Sequence, residues 1–229
     1  MELKIKDIVD LLQVSEKTVY RWIKEKKIPC YRIHHHYHFN RAEVNEWIMS
    51  NGIGLSTQLL NLPLTGRPTH LTDLLLHGGV YTGITGNTIR DVLHNAIESI
   101  DTPQDMDKED IISALLNREE LMSTAIGNGI AIPHPRKPLI TNVKDASVSI
   151  CFLAEGVNFG ALDGHPVHTL FLLLTCSPRR HLEVLSKISY LCQMDDFRSM
   201  LERRASAQEI SDFVQGKERS WQQKELAER

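Results

Sequence analysis

The sequence predicts two structural units: an α/β sheet domain that fills most of the chain, and a small helix-turn-helix unit in front of it. After residue 70, helical and strand patterns of apolar residues alternate, which is typical of α/β domains. Before residue 50, two short amphipathic helices are separated by a turn. Between them, residues 51–69 contain three glycines and two prolines without a sustained hydrophobic period. We interpret this segment as a linker, the alternative being a loop inside one domain.

The composition is that of an ordinary globular protein. The 229 residues are 41% hydrophobic and 24% charged, which excludes a mostly disordered chain and a collagen-like one. The four cysteines form no C-x-x-C pair, so a disulfide framework is excluded and a reducing compartment is favoured. The N-terminus lacks the apolar segment of a signal peptide, and the longest apolar run, Leu170–Leu174, is far shorter than the ~20 residues of a membrane helix. We therefore expect a soluble, cytoplasmic protein without a membrane span.

The first fifty residues have the pattern of a helix-turn-helix. Helical spacing joins the apolar residues of a first segment, namely Ile5, Ile8, Val9 and Leu12. Ser15 is a good N-cap for a second helix, whose buried face comprises Val19, Trp22 and Ile23. Residues 28–39 alternate as in a short hairpin, or wing. Asn40 to Glu43 reads as a capping box that opens a third helix.

The cationic residues of this unit suit contacts with phosphates. Residues 1–54 hold nine Lys and Arg against seven Asp and Glu, a charge of +2, whereas the remainder holds 17 against 22, a charge of −5. Side chains that can hydrogen-bond phosphate oxygens and position a protein on DNA are Lys17, Thr18, Arg21 and Lys24 on the second helix and Arg32 in the hairpin. The alternative is a small helical module whose basic face is merely solvated.

These residues resemble the excisionase and MerR-like DNA-binding domain, which implies DNA as a partner. The resemblance covers residues 1–50 and rests on Ile5–Ile23, Ile28-Pro29, Phe39 and Glu43…Trp47. The wing of that family commonly carries arginines where this chain has His34, His35, His36 and His38. We expect this cluster to hold DNA phosphates more weakly than arginines would near pH 7, and more strongly at about pH 6, where part of it is charged. Solvated histidines and a metal site are the alternatives. No metal is predicted, because same-face strand neighbours lie ~6.6 Å apart and no carboxylate or cysteine is placed beside them.

The second unit is predicted to span residues 70–216, and local sequence signals divide it into strands and helices. Ser147–Phe152 alternates like a strand, and Thr169–Thr175 has the continuous apolar run of a strand buried on both faces. Helix N-caps are predicted at Asn87, Ser177 and Ser206. Gly216 is expected to end the last helix, so that residues 217–229 form a charged tail.

The segment Gly127–Arg136 contains the main candidate for catalysis. His134 lies between Pro133 and Pro135, and since each proline fixes its own φ angle, the histidine sits on a stiff backbone. A neutral imidazole has a nitrogen lone pair and can accept a phosphoryl group as a covalent nucleophile. The alternative is a loop histidine at the end of a strand.

An anion is favoured near the start of a later helix. His181 falls in the first turn of the helix that Ser177 is predicted to cap, where free N–H groups and the helix dipole attract negative charge. Arg179 and Arg180 oppose that dipole, which an anionic partner would explain; the alternative is two solvated arginines.

Arg118 is a further candidate for binding a phosphoryl group. It lies in Asn117–Leu121, shortly before the histidine segment, and a guanidinium can grip phosphate in a forked geometry. The alternative is a surface ion pair with Glu119 or Glu120.

Taken together, these motifs resemble the IIA component of the bacterial sugar phosphotransferase system, in its fructose, mannitol and nitrogen-regulatory class. The matching stretches are Arg118-Glu119, Ser123-Thr124, Gly129–His134, Val157–Phe159, Leu162–Val167 and His181–Leu185. The resemblance implies a mixed sheet flanked by helices, phosphorylation of His134, and supporting roles for His181, Arg118 and Thr124. The implied donor is phospho-HPr or its nitrogen-branch relative. No cofactor is expected, and His165 and His168 are interpreted as bystanders.

The sequence thus predicts a cytoplasmic phosphoryl carrier, a phosphotransferase component, with an attached DNA-binding domain and a role in transcriptional, nitrogen or carbon regulation. We expect no IIB or membrane IIC segment, so regulation is at least as well supported as sugar uptake. Two alternatives stay open: a transcription regulator whose IIA-like domain senses a partner without being phosphorylated, and an adaptor that uses the helix-turn-helix for protein contacts. A homodimer is one option, since a single helix-turn-helix usually gains specificity by dimerising.

Overall fold

Contacts divide the chain into two units, residues 1–62 and 63–229. The computed structural model describes residues 2–12, 14–25, 27–33, 36–40, 43–44, 47, 70–104, 106–140 and 142–227. Three sequence predictions therefore lie wholly or partly outside the described residues: the linker at 51–69, the capping box at 40–43, and the part of the wing at 34–35.

The first unit combines helices with a three-stranded antiparallel sheet. Its described elements are strand β1 (Glu2–Lys4), helix α1 (Ile5–Leu12), helix α2 (Glu16–Lys24), strand β2 (Tyr31–Ile33) and strand β3 (His36–Asn40). Ser15 Oγ accepts the backbone N–H of Thr18 at 3.2 Å, which confirms the predicted cap. Strands β2 and β3 confirm the hairpin. Strand β1, which the sequence did not predict, pairs with β3 and gives the sheet order β1-β3-β2.

Helix α2 and the hairpin each contribute buried apolar residues. Val19 of α2 and Phe39 of β3 are both fully buried. Trp22 and Trp47 contact each other edge to face, with ring centroids 5.2 Å apart. Because side chains alternate along a strand, His36 and His38 lie on the face of β3 opposite Phe39.

A five-stranded mixed sheet organises the second unit, as the resemblance implied. Its strands are β4 (Val80–Ile84), β5 (Ala125–Gly127), β6 (Ile130–Ala131), β7 (Ser147–Val157) and β8 (Val167–Leu174). The order is β4-β7-β8-β6-β5, with β4–β7 and β6–β8 parallel and the other two pairs antiparallel. Strands β7 and β8 confirm the two predicted strands, and β8 occupies the centre.

Helices pack on both faces of this sheet. They are α3 (Leu71–Gly78), α4 (Ile89–Ser99), α5 (Lys108–Leu121), α6 (Pro178–Cys192), α7 (Asp195–Glu202) and α8 (Ala207–Ala227), with a 3₁₀ turn at Val143–Asp145. Leu170 and Leu172 of β8 share a core cluster with α4 and α5. Phe171, between them, lies 6.3 Å from Phe197 of α7, ring centroid to ring centroid. Burial on both faces explains the continuous apolar run of β8. In the described part of the chain, no helix has the length and apolar character needed to cross a membrane.

The helix caps agree with the sequence except at one position. Ser177 accepts the N–H of Arg180, and Ser206 forms a reciprocal capping box with Glu209, as predicted. The predicted cap at Asn87 is wrong by one residue. Thr88 is the N-cap of α4, because its hydroxyl reaches the N–H of Asp91 while the carboxylate of Asp91 accepts the N–H of Thr88.

The prediction that Gly216 ends the last helix is also wrong. Helix α8 continues to Ala227, so residues 217–227 are helical and do not form a separate tail. A glycine inside a helix costs only about 1 kcal/mol relative to alanine. Beyond Gly216, Glu218 is 5% exposed and accepts the N–H of Leu71, a tertiary contact that favours continuation of the helix.

Candidate functional site

The backbone that carries His134 is held by hydrogen bonds on two sides. The carbonyl of Pro133 accepts the N–H of Leu173 in β8 at 3.0 Å, and the N–H of Ile132 donates to the carbonyl of Thr124 at 3.0 Å. Together with the fixed φ angle of Pro133, these bonds hold the backbone at Ile132 and Pro133. They thereby fix the direction in which the His134 side chain projects.

The turn before this segment requires a glycine and is held by a hydrogen bond to a carboxylate. Asn128 has a φ of 52° and Gly129 a φ of 69°, both in the left-handed region. A Cβ at Gly129 would lie 2.2 Å from Nε2 of His168, so no larger residue fits there. The carboxylate of Asp163 accepts the N–H of Asn128 at 2.7 Å, and this bond holds the pKa of Asp163 below its usual value. The backbone of the turn is therefore restrained by the packing of His168 against Gly129 and by the hydrogen bond from Asn128 to Asp163.

The hydrogen bond of the His134 ring decides which nitrogen can react. The imidazole is 3% exposed, and its Nδ1 lies 2.7 Å from the carbonyl oxygen of Ile132. Because a carbonyl oxygen can only accept, Nδ1 must carry the proton. In the neutral ring the lone pair then belongs to Nε2, which is the nucleophilic atom.

The structure brings His181 against His134. The two ring centroids lie 4.7 Å apart with an interplanar angle of 59°. His181 is 9% exposed, its N–H begins the hydrogen bonding of α6 at the carbonyl of Ser177, and its Nδ1 lies 3.4 Å from the hydroxyl of Thr175. The second histidine thus sits in the first turn of α6, where the helix dipole favours an anion. The side chain of Arg179 lies outside the described residues, and Arg180 is half-buried.

Arg118 is a buried cation at the end of α5. It is 6% exposed, and its Nη1 donates to the carbonyl of Met122 at 2.7 Å. Arg118 is therefore not the surface residue that the alternative interpretation required, although its charge still acts on Glu119. A guanidinium held inside the protein close to the histidine segment in sequence is well suited to a phosphoryl anion.

Glu119 is a buried residue for which the sequence predicted no role in the site. Its carboxylate is 8% exposed and accepts the N–H of Thr124 at 2.9 Å and the hydroxyl of Thr124 at 2.5 Å. Burial raises the pKa of Glu119, although the bonds from Thr124 and the charge of Arg118 act in the opposite direction. The signal was present in the sequence, because the apolar spacing of Ile111 and Leu115 continues helically to positions 118 and 119.

The two histidines that were interpreted as bystanders, His165 and His168, have other contacts. His165 is exposed and lies 3.5 Å from the carboxylate of Asp163. His168 is half-buried, its Nδ1 lies 2.9 Å from the hydroxyl of Thr169, and burial lowers its pKa. Within the described ranges, no group of three or more His, Cys, Asp or Glu side chains is arranged to hold a metal ion.

The candidate DNA contacts lie on α2 and β2. Lys17, Arg21 and Lys24 are exposed at helical spacing on α2, whereas Thr18 is half-buried and its hydroxyl lies 2.9 Å from that of Ser15. Thr18 therefore belongs to the helix cap. Arg32 is exposed, and its guanidinium lies 5.7 Å from the ring centroid of Tyr37.

Two known families match separate parts of the chain. The family described as "Phosphoenolpyruvate-dependent sugar phosphotransferase system, EIIA 2" matches residues 74–217. A family described as "Helix-turn-helix domain" matches residues 2–52.

Individual relatives resemble the second unit. A nitrogen regulatory protein of Pseudomonas aeruginosa is 32% identical over 148 residues, which cover 63% of this chain and 94% of that protein. The fructose-specific EIIABC component of a phosphotransferase system from Bacillus subtilis is 29% identical over 147 residues, 63% of this chain but only 23% of that protein. The crystal structure of the nitrogen regulatory protein IIA-Ntr from Neisseria meningitidis superposes with a TM-score of 0.56 at 27% identity, covering 64% of this chain and 99% of that one.

Proposed function

The chain belongs to the EIIA 2 family of the phosphoenolpyruvate-dependent sugar phosphotransferase system and has a helix-turn-helix domain at residues 2–52, and we propose that it is a cytoplasmic phosphoryl carrier that accepts phosphate on Nε2 of His134. The observation that carries the proposal is the ring of His134, whose Nδ1 proton is committed to Ile132 while the ring packs 4.7 Å from that of His181. The donor is phospho-HPr or its nitrogen-branch relative.

The transfer needs no cofactor. The lone pair on Nε2 of His134 forms a bond to phosphorus as the N–P bond of the donor phosphohistidine breaks, and the electron pair of that bond returns to the donor ring. The proton stays on Nδ1 of His134. The carbonyl of Ile132, 2.7 Å away, stabilises the positive charge that the ring acquires.

The neighbouring groups stabilise the phosphoryl group in transit. Phosphoryl transfer depends mainly on positioning and on charge stabilisation at the equatorial oxygens. His181 supplies a ring N–H and Arg118 a guanidinium for those oxygens, and the N-terminus of α6 adds the positive end of its dipole. Thr124 supports the site from the backbone side.

The helix-turn-helix domain makes this carrier a regulator. Lys17, Arg21, Lys24 and Arg32 contact DNA phosphates, and the phosphorylation state of the second unit reports nutrient status to transcription. The exposure of these cations on α2 and β2 supports the proposed contacts with DNA phosphates.

Radiolabelled phosphate from phospho-HPr, or from the nitrogen-branch relative, tests the carrier function. We expect the wild-type chain to be labelled, His134→Ala to be unlabelled, and Cys176→Ser, which removes a half-buried thiol, to be labelled normally. Label that persists in His134→Ala and moves to His181 would contradict the assignment. A wild-type chain that neither donor labels would favour a domain that senses its partner without being phosphorylated.

A further inference from the structure

We propose that Glu119 is a positioning residue for phosphoryl transfer: through Thr124 and the backbone of Ile132, it holds the His134 ring in the orientation and tautomer that present Nε2. The inference rests on the proposed carrier function for its kinetic measurement, whereas its spectroscopic measurement is independent of phosphorylation.

The first link joins Glu119 to Thr124. One carboxylate oxygen accepts the backbone N–H of Thr124 at 2.9 Å and the other accepts its hydroxyl at 2.5 Å. Both residues are buried, so water does not compete for these bonds. Two bonds from one carboxylate to a single residue fix both the backbone and the side chain of Thr124 at the start of β5.

The second and third links lead from Thr124 to the ring. The carbonyl of Thr124 accepts the N–H of Ile132 at 3.0 Å, and the carbonyl of Ile132 accepts the Nδ1 proton of His134 at 2.7 Å. An unbroken series of hydrogen bonds therefore runs from the carboxylate on α5 to the imidazole, across two segments of chain.

This series transmits position and not charge. The N–H and the C=O of one residue belong to different peptide groups, so the Glu119 charge does not reach the ring by polarisation along one amide. A glutamine can replace the carboxylate, because its carbonyl can accept the Thr124 N–H and its NH₂ can donate to the Thr124 hydroxyl oxygen. Leucine has a similar size and can make neither bond.

The consequence of losing this support is chemical. If Thr124 shifts, the carbonyl of Ile132 moves away from Nδ1 of His134, and the ring is free to carry its proton on Nε2. That tautomer has no lone pair on the atom that faces the phosphorus, and a small misplacement of a reacting group costs as much as about 100-fold in rate.

The experiment compares Glu119→Leu and Glu119→Gln with Glu120→Gln, an exposed neighbour on the same helix. Circular dichroism first shows which variants fold. The ring ¹⁵N signals of His134 in the unphosphorylated full-length chain report its tautomer, and labelling by phospho-HPr at increasing donor concentrations separates kcat from KM. We expect Glu119→Leu to populate the Nε2–H tautomer and to lower kcat about 10-fold or more at unchanged KM. Glu119→Gln should stay within about twofold of wild type, and Glu120→Gln should match it.

Two results would overturn the inference. One is a folded Glu119→Leu chain with the wild-type tautomer and kcat, which would leave Glu119 only a structural role. The other is an equal loss in Glu119→Gln and Glu119→Leu, which would assign the effect to charge. Should Glu119→Leu not fold, Thr124→Val, which lacks only the hydroxyl bond, must shift the tautomer in the same direction, and wild-type spectra would then refute the proposal. An unlabelled wild type would refute the carrier function alone, because the ¹⁵N spectra still test the positioning role.

Discussion

The chemistry of His134 depends on where one proton sits. Its Nδ1 is committed to the Ile132 carbonyl, so the ring can act as a nucleophile only through Nε2. The ring of His181 lies close enough to donate to a group bound there. The neighbours of His134 thus set its orientation before a phosphoryl group binds, which is how a catalytic group is preorganised.

Replacing His181 tests this arrangement at the scale of one side chain. We expect His181→Ala to fold and to accept phosphate about 100-fold more slowly, because loss of one preorganised electrostatic group commonly costs that much. Arg118→Ala should slow transfer for the same reason. Single-turnover labelling measures both, with the exposed His165→Ala as the control. Wild-type rates in the His181 and Arg118 variants would show that neither group touches the phosphoryl group.

At the scale of elements, helix α8 ties together two other helices. Glu218 accepts the N–H of Leu71 at 2.7 Å and the N–H of Thr72 at 3.1 Å, so it caps the N-terminus of α3. The same carboxylate lies 3.2 Å from Nζ of Lys187 in α6, the helix that carries His181. The last helix therefore links α3 to the helix that carries His181.

Glu218→Ala should lower the free energy of unfolding by about 2 kcal/mol at pH 7, because it leaves buried N–H groups without an acceptor. Burial alone would raise the pKa of Glu218, but the bonds from Leu71 and Thr72 and the charge of Lys187 hold it below its usual value. Its contribution is therefore complete above the unfolded-state pKa and is lost as the pH falls through the folded-state pKa.

Urea denaturation at pH 7 and at decreasing pH down to about 3 measures this difference. The difference in the free energy of unfolding between wild type and Glu218→Ala should narrow as the pH falls. Glu155→Gln, an exposed change on β7, should follow the wild-type curve. A gap that stays constant over this range would mean that the carboxylate charge of Glu218 has no part in the cap.

At the scale of the whole molecule, charge is divided between the two units. The first 54 residues carry +2 and the rest −5, so the proposed nucleic-acid contacts lie in the unit that does not repel phosphate. The cations of α2 are exposed at helical spacing, and Arg32 adds a cation on the hairpin. The proposed regulator thus keeps its DNA contacts and its phosphoryl chemistry in different units.

The salt dependence of DNA binding tests this division in the full-length chain. Each phosphate that a protein neutralises steepens the slope of log K against log salt by about 0.9. We expect Arg21→Ala to weaken binding and to reduce the slope by about that amount. Lys144→Ala, an exposed cation in the second unit, should leave the slope unchanged. Equal slopes for wild type and Arg21→Ala would remove Arg21 from the interface.

Features whose signals are local could be predicted from the amino-acid sequence. The caps at Ser15 and Ser177 follow from side chains that reach N–H groups within a few residues, and strands β7 and β8 follow from their apolar patterns. The stiff placement of His134 between two prolines is equally local. The family motifs then fixed the kind of sheet, which the structure confirms as mixed.

Features that depend on distant residues arise from tertiary packing and could not be predicted. Packing of α6 on the sheet brings His181 to 4.7 Å from His134, and burial converts Glu119 from an apparent surface charge into the anchor of Thr124. Helix α8 continues beyond Gly216, where Glu218 accepts the N–H of Leu71, 147 residues earlier in the chain. No local period encodes such contacts, since their free energy comes from desolvation and hydrogen bonding between segments that meet only when the sheet and its helices have assembled.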